Sequence, residues 1–439
     1  MIDLPSGWQA GKFALLNCFR SASIAPASFP GETFELYSVP AFPTRSPEFV
    51  PGAAIGSSKQ LVSAGDVLIC KINPRINRVW LVAEKGSVRQ IASSEWIGFC
   101  VPGQCAQFYL YYYSSPAFRE EICTDLTGVG GSLTRAQPKR VDDFMVPVAP
   151  CAEQQRIADK LDTVLARVDA CRDRLDRAAP LLKRFRRSVL AAATSGRLTS
   201  APQGGYRKVA LSLLIQEPLR NGKSVVDGRG TSVLRLSSLG QRDVKLAESK
   251  RGNWENVEVH RYLIHAGDFL VSRGNGSREL VGRGALVTDE PISPMAFPDT
   301  MIRIRPQLNL LSPNYLRAIW DGREIRSQIE ASARTTAGIY KISQGDLESL
   351  EIPLPSMGDQ IEIVRRLETL FAFAARLDAR LGQAQTAVDR LAPSLLAKAF
   401  RGELVPQDPA DEPATELLKR LAAQRDEAPA RRGRQRATV

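Results

Sequence analysis

The feature that most constrains this chain is an internal repeat at an offset of 206 residues, ungapped across some fifty positions. Val146-Pro147-Val148-Ala149-Pro150 aligns with Ile352-Pro353-Leu354-Pro355-Ser356. Gln154/Gln360, Ile157/Ile363, Leu161/Leu367, Thr163/Thr369, Leu175/Leu381, Leu190/Leu396 and Ala193/Ala399 follow as identities. The repeat closes on Gly196-Arg197-Leu198 against Gly402-Glu403-Leu404. A period this long is no solenoid; it signals duplication of a whole module.

Both copies carry the pattern of a long helix. Apolar positions advance in steps of four and three through Ile157, Leu161, Val164, Val168, Cys171, Leu175, Ala178, Leu182, Phe185 and Val189. The second copy does the same through Ile363, Leu367, Leu370, Ala374, Leu377, Leu381, Ala384, Val388, Leu391 and Leu395. A seam sustained over about four heptads is the coiled-coil pattern. Each helix should run about 50 Å at ~1.5 Å per residue. Two seams of equal length are most simply buried against each other; the alternative is that each helix packs only on its own domain. Pro180 and Pro393 fall inside the pattern, where each would kink or end its helix. Gly196 and Gly402 sit where C-terminal glycines belong.

The segments before the helices differ in kind. Residues 1–150 and 199–355 are rich in Gly, Pro, Ser and β-branched residues, with short apolar runs such as Asp66–Cys70 and Asp268–Val271. They read as two mixed α/β domains. Only sparse anchors recur: Gly7-Trp8 and Gly205-Tyr206, Ala64-Gly65-Asp66 and Ala266-Gly267-Asp268, Tyr109-Leu110 and Tyr315-Leu316. The fold class expected is therefore α+β: two mixed α/β domains separated by two long helices paired as a coiled coil, with a pseudo-twofold internal repeat. Alike helices carrying unlike domains suggest one scaffold that holds two readers of different specificity.

Lys plus Arg number 59 against 47 Asp plus Glu, a surplus of 12, which favours a polyanionic partner. The start, MIDLPSGWQAGKF, has no basic-then-apolar leader, and no window of about 18 apolar residues spans a membrane. Seven cysteines, none in a CxxC, read as reduced thiols of a cytoplasmic protein.

A search for chemistry finds little. Asn221-Gly222-Lys223-Ser224 resembles the end of a P-loop, but Glu217 stands where the first glycine is needed. Gly128-Val129-Gly130-Gly131-Ser132 lacks dinucleotide-binding spacing. His260 and His265 are poorly spaced for a metal, and after Pro298-Asp299 no Glu-x-Lys pair follows. The expectation is a chain with no catalytic residues, no metal and no cofactor of its own.

Basic loops are the positive signal. After the first Gly-Asp strand come Lys71, Asn73, Arg75, Asn77 and Arg78; after the second come Arg273, Asn275, Arg278 and Arg283. A second loop precedes each helix copy: Thr127 to Arg135, including Thr134, with Lys139 and Arg140, and Arg334 to Lys341, including Thr335. Arg and Asn pair with base edges, and Lys and Arg hold phosphates. Each single residue could equally be part of a solvated turn; the recurrence in both domains is what points to nucleic acid. Lys183 to Arg187 and the tail Arg431 to Arg436 are further basic runs that could touch DNA or lie in solvent.

Taken together, the chain resembles the specificity subunit of type I restriction–modification enzymes along essentially its whole length. The carrying motifs are Glu153-Gln154-x-x-Ile157 and Asp359-Gln360-x-x-Ile363, each after a Val/Ile-Pro-Val/Leu strand. The stretch from Lys398 through Phe400-Arg401-Gly402-Glu403-Leu404-Val405-Pro406-Gln407-Asp408 to Leu417-Leu418 is similar to that family's C-terminal region. The first copy lacks the Leu-Val-Pro-Gln-Asp extension. The resemblance implies target-recognition domains at 1–150 and 199–355. It places conserved helices at 151–198 and 356–404, then a C-terminal helix and basic tail at 405–439. It further implies that each domain reads half of a bipartite sequence in double-stranded DNA while the helices set the spacer. Two methyltransferase subunits, using S-adenosylmethionine on adenine N6, would dock on the helices, and two restriction subunits using ATP and Mg would join where present. A rival reading is a coiled-coil scaffold that binds DNA without sequence preference; another is an enzyme with an unrecognised site.

Overall fold

The structure is a computed structural model that describes residues 4–84, 86–124, 134–199, 205–255, 257–336 and 338–426. Most of the first pre-helix loop, including Gly128 to Ser132, lies outside the described residues, as does the tail Arg431 to Arg436. The chain divides into two compact units, Met1–Arg174 with Ala384–Val439, and Leu175–Gln383. Each unit holds one mixed α/β domain and a part of each long helix.

The long helices span Cys151–Thr194 and Met357–Ala399, 44 and 43 residues. At ~1.5 Å per residue that is about 65 Å each, longer than the heptad count suggests. Pro180 and Pro393 lie inside the helices and end neither. A proline forfeits one ladder hydrogen bond and crowds the preceding turn, but extensive flanking helix holds the register. Beyond the ends, Gly196 and Gly402 take left-handed φ values of 82° and 71°. There the Leu198 amide reaches back to the Ala192 carbonyl, and the Glu403 amide to that of Lys398.

Within both units the helices pair antiparallel, a sense that an apolar seam alone does not encode. In the first unit Arg172 bonds Asp389, and Ile157 and Leu161 share a core with Leu396 and Ala399. In the second Arg186 bonds Asp378, and Val189 and Ala193 share a core with Ile363 and Leu367.

The seam residues are not equivalent. Ile157, Leu161, Ile363 and Leu367 are fully buried because the α/β domains also close over them. Toward the middle only Val168 and Ala374 are buried, while Val164, Leu175, Leu182, Leu370, Leu377 and Leu381 are half-buried. Two helices without a third layer cannot cover the flanks of a leucine. Leu391, expected in the seam, is 46% exposed. The turn carrying it precedes Pro393 and turns Leu395 and Leu396 inward instead.

Both domains share one skeleton. The opening strand Gln9–Lys12 pairs antiparallel with Met145–Val148, and Lys208–Ala210 with Glu351–Pro353, so each domain closes just before its long helix. The Gly-Asp strands become Val67–Cys70, central in a three-stranded sheet, and Phe269–Ser272, internal in a four-stranded one. Buried on both faces, their sequences Val-Leu-Ile-Cys and Phe-Leu-Val-Ser are continuous rather than alternating. Before them Gly65 and Gly267 turn the chain at φ 85° and 93°. The buried carboxylates of Asp66 and Asp268 then accept the amides of Ser63 at 2.8 Å and His265 at 2.9 Å. Tyr109 and Tyr315, each buried, sit on helices Ala106–Tyr113 and Pro313–Ile319.

Elsewhere the domains diverge. The first adds a five-stranded sheet built on Thr33–Tyr37, and the second a ribbon, Asp227–Leu234 with Ser249–Gly252, flanked by Met295–Ala296. The segment that follows the extension absent from the first copy has a structural role. Arg156 grips Asp411 with contacts of 2.6 and 3.3 Å, and the Ala414 amide bonds the Gly7 carbonyl at 2.9 Å. The helix Ala414–Asp426 then buries Ala414, Leu417 and Leu421 in the first core.

Candidate nucleic-acid interface

The two basic loops of each domain, some sixty residues apart in sequence, are brought together by backbone pairing. In the second domain Gly274–Asn275, Ile339–Lys341 and Arg334–Thr336 form one three-stranded sheet, with Gly274 opposite Lys341 and Thr335 opposite Tyr340. Arg273, Arg334, Thr335 and Lys341 are exposed around it. In the first domain Ile72 bridges Arg135, the Asn73 amide bonds the Thr134 carbonyl at 2.8 Å, and the Asn73 side chain accepts the Thr134 amide at 3.2 Å. Counted from the Ala-Gly-Asp anchors, 202 residues apart, Ile72 answers to Gly274, and at the helix-repeat spacing of 206 Arg135 answers to Lys341. The same construction therefore recurs on different residues.

Several candidates have work within the fold. Asn73 and Asn77 take left-handed φ of 47° and 51° at either end of the turn Pro74–Ile76, a conformation asparagine tolerates better than most. Asn275 accepts the Ser277 amide at 3.1 Å, closing a turn. Arg278 is tied to the Glu330 carbonyl at 3.2 and 2.7 Å. Arg135 pairs with Glu95 at 3.0 Å, and Arg78 reaches the Ile72 carbonyl at 3.4 Å. Arg283 lines a cavity against the long helices. Arg75 and Lys139 are exposed.

Sequence reasoning missed Lys59. With the half-buried Lys71 it lines a groove of about 470 Å³ in the first domain, beside Ser21, Ser23, Ser58 and Ser94. Burial pulls the Lys59 ammonium below its ordinary value. Hydroxyls and ammonium groups gathered in one groove suit phosphate oxygens. These residues come from four separated segments, so no local motif announces them.

The other motifs resolve into packing. A Cβ on Gly222 would lie 2.2 Å from the Phe297 carbonyl, so this glycine serves close backbone approach. Asp299 accepts a hydrogen bond from Ser224, and His265 faces Glu290 at 2.8 Å. Among the described residues, no three His, Cys, Asp or Glu gather to hold a metal, and no helix is long and apolar enough to cross a membrane.

Two unlike α/β domains on duplicated helices, each with paired basic loops, are the arrangement expected of a DNA-binding protein. The profile of the type I restriction modification DNA specificity domain matches residues 247–383. The chain is 32% identical over 408 residues to the type I restriction enzyme EcoKI specificity subunit of Escherichia coli K12, covering 88% of this chain and 86% of that one. It is 31% identical over 402 residues to the StySPI specificity subunit of Salmonella potsdam, with the same two coverages. In fold it is similar to the HsdS subunit from Thermoanaerobacter tengcongensis, with a TM-score of 0.63 and 19% identity over 91% of this chain and 98% of that one. The chain belongs to the type I restriction–modification specificity subunits, the non-catalytic DNA-recognition members of those systems.

Proposed function

We propose that each α/β domain reads one half of a bipartite DNA target and that the helix pair fixes the spacer between the halves. The observation that carries this reading is the repeated junction of loops, Ile72–Asn73 with Thr134–Arg135 and Gly274–Asn275 with Tyr340–Lys341. The backbone plan is kept while the side chains change, as two readers of different half-sites require. Lys59, Lys71, Lys139, Arg273, Arg334 and Lys341 are the residues assigned to DNA, with phosphate contact the simplest role for the lysines. The exposed flanks of the long helices are assigned to two methyltransferase subunits, which bring S-adenosylmethionine and act on adenine N6. Restriction subunits using ATP and Mg join where the host encodes them. Such a complex works on DNA in the cytoplasm.

The test is to co-express the chain with its methyltransferase and map methylated adenines by long-read sequencing. A two-part motif should appear, and replacing residues 205–355 with a relative's domain should change one half only. Methylation without a motif would favour the scaffold that binds DNA indiscriminately. Deleting one heptad from both helices should alter the spacer and leave both halves intact.

A further inference from the structure

The second unit contains a cavity of about 600 Å³ that the DNA-reading role does not use. Its walls come from three directions: Arg186 and Leu190 on the first long helix, Phe371 and Ala375 on the second, and Arg242, Arg283, Arg317 and Asp321 from the α/β domain. The volume is that of a small-molecule site, and its lining is strongly charged, with Arg326 added to the other arginines and Glu279 to Asp321, against an apolar side of Leu190, Phe371 and Ala375.

The charges are unevenly partnered. Arg186 is held by Asp378 at 2.5 Å, and Arg317 by Asp243 at 2.7 Å and Glu368 at 3.4 Å. Arg242 and Arg283 have no side-chain hydrogen bond or ion pair among the described residues. Arg242 instead lies 5.4 Å from the centre of the Phe371 ring, and burial, with the like charge of Arg317, lowers its affinity for its proton. The Nε of Arg317 is buried without an acceptor. Asp321, whose side chain is accessible, stands among Arg326, Arg242 and Arg283 without pairing to any of them. Guanidinium groups withdrawn from water without acceptors are costly unless an anion completes them.

The scaffold does not require all of this charge. At the repeat spacing of 206, Tyr111 stands for Arg317, Ser115 for Asp321 and Leu165 for Phe371. The tie between domain and helix survives in the first unit as a hydrogen bond from Tyr111 to Asp162, the counterpart of Arg317 to Glu368. The duplicated module thus folds with neutral residues in place of Arg317 and Asp321, whereas Arg283 answers to Arg78, each backbone carbonyl accepting the amide at the end of its Gly-Asp strand, Ser272 and Cys70.

We infer that this cavity binds a small organic anion of roughly nucleotide size, a phosphate monoester or polycarboxylate, with Arg242 and Arg283 clasping the anionic group and Asp321 meeting a donor on the ligand. Bound between the domain and both helices, such a ligand would stiffen the joint that sets the direction of the second reader. The inference is independent of how either reader meets DNA.

The test is calorimetric titration of the full chain with adenosine monophosphate, inorganic phosphate and citrate. At least one should bind saturably, and the preferred probe identifies the source, phosphate ester or carboxylate. Arg242→Gln and Arg283→Gln should each weaken that binding at least tenfold, while Arg75→Gln, in the other unit, leaves it unchanged. Each variant is first shown to melt like the parent without ligand; if one does not, Arg283→Lys replaces it, expected to bind more weakly while keeping the fold. No saturable binding of any probe, or equal binding by parent and variants, overturns the inference. So does competition by the target DNA duplex, which would return these arginines to the DNA surface. Loss of anion binding with DNA affinity intact separates this site from the readers.

Discussion

Gln154 and Gln360, 206 residues apart, make matching hydrogen bonds in the two units. Each amide nitrogen donates to the carbonyl five residues back, Ala149 at 2.9 Å and Pro355 at 3.1 Å. Each amide oxygen accepts the backbone amide that precedes the tyrosine helix, Cys105 at 3.2 Å and Ser312 at 2.8 Å. A second donation goes to Gln104 in one unit and to the Leu310 carbonyl in the other. Both side chains are fully buried. One glutamine thus fastens the closing strand, the tyrosine helix and the long helix together, which accounts for its place at the head of both helix motifs.

Gln360→Ala should therefore cost about 2–3 kcal/mol, because it strands three buried backbone partners at once. Gln154→Ala should cost a similar amount in the first unit. Urea denaturation followed by probes in each domain measures both. A loss below about 0.5 kcal/mol at either site would show that water replaces the glutamine and that the bonds do not define the joint.

Beside Gln154, the buried Glu153 accepts the Trp8 indole at 3.0 Å, while its second oxygen has no partner. Burial raises its carboxyl above the ordinary value, more than the Trp8 bond lowers it. The folded chain then holds this proton more tightly than the unfolded chain, so its contribution is full below the ordinary carboxylate range and lost as pH rises through the raised value. Glu153→Gln keeps an acceptor for Trp8 and removes the charge. The variant should gain about 1 kcal/mol on the parent at neutral pH, with the gap closing toward about pH 4. Denaturation of both proteins across that range gives the answer; a gap that widens on acidification contradicts it.

The helices, their glycine stops and the Gly-Asp strands were legible because each rests on local spacing or a single left-handed turn. The antiparallel sense was not, since an apolar seam reads the same in either direction. Nor was the sheet joining Gly274 to Lys341, whose register is set by contacts between distant segments. The bond from Arg278 to the Glu330 carbonyl, 52 residues onward, was not legible either, because an exposed arginine in a polar loop carries no mark of a partner on a distant segment. Pro180 and Pro393 misled for the opposite reason: a local rule was overridden by the length of helix on either side.

The clasp between Arg156 and Asp411 predicts a response confined to one unit. Asp411 is 9% exposed at its side chain and Arg156 37%, so the pair is partly shielded from solvent. Asp411→Ala should cost about 1–2 kcal/mol and loosen the helix Ala414–Asp426 from the first core. Hydrogen exchange should then quicken around Trp8 and Phe13, with Phe269 and Trp320 in the second unit unchanged. Equal quickening in both units would mean that the clasp supports the whole chain.

The paired loops offer a way to tell residues proposed to touch DNA from structural ones. Arg273, Arg334 and Lys341 are exposed around one small sheet, so changing any of them to Ala should leave folding within about 0.5 kcal/mol of the parent. If each holds a phosphate, each substitution should weaken DNA binding by the assembled complex and lower the slope of log K against log salt by about 1. A residue that reads a base would behave differently: its loss should relax preference at one position of one half-site and leave the slope nearly intact. Arg278→Ala provides the contrast. Its guanidinium is spent on the Glu330 carbonyl, so it should lose about 1 kcal/mol of stability and keep the full salt slope. Titrations at several salt concentrations beside denaturation curves give both quantities for all four variants. A reduced slope for Arg278→Ala with unchanged stability would place that arginine on the phosphates after all.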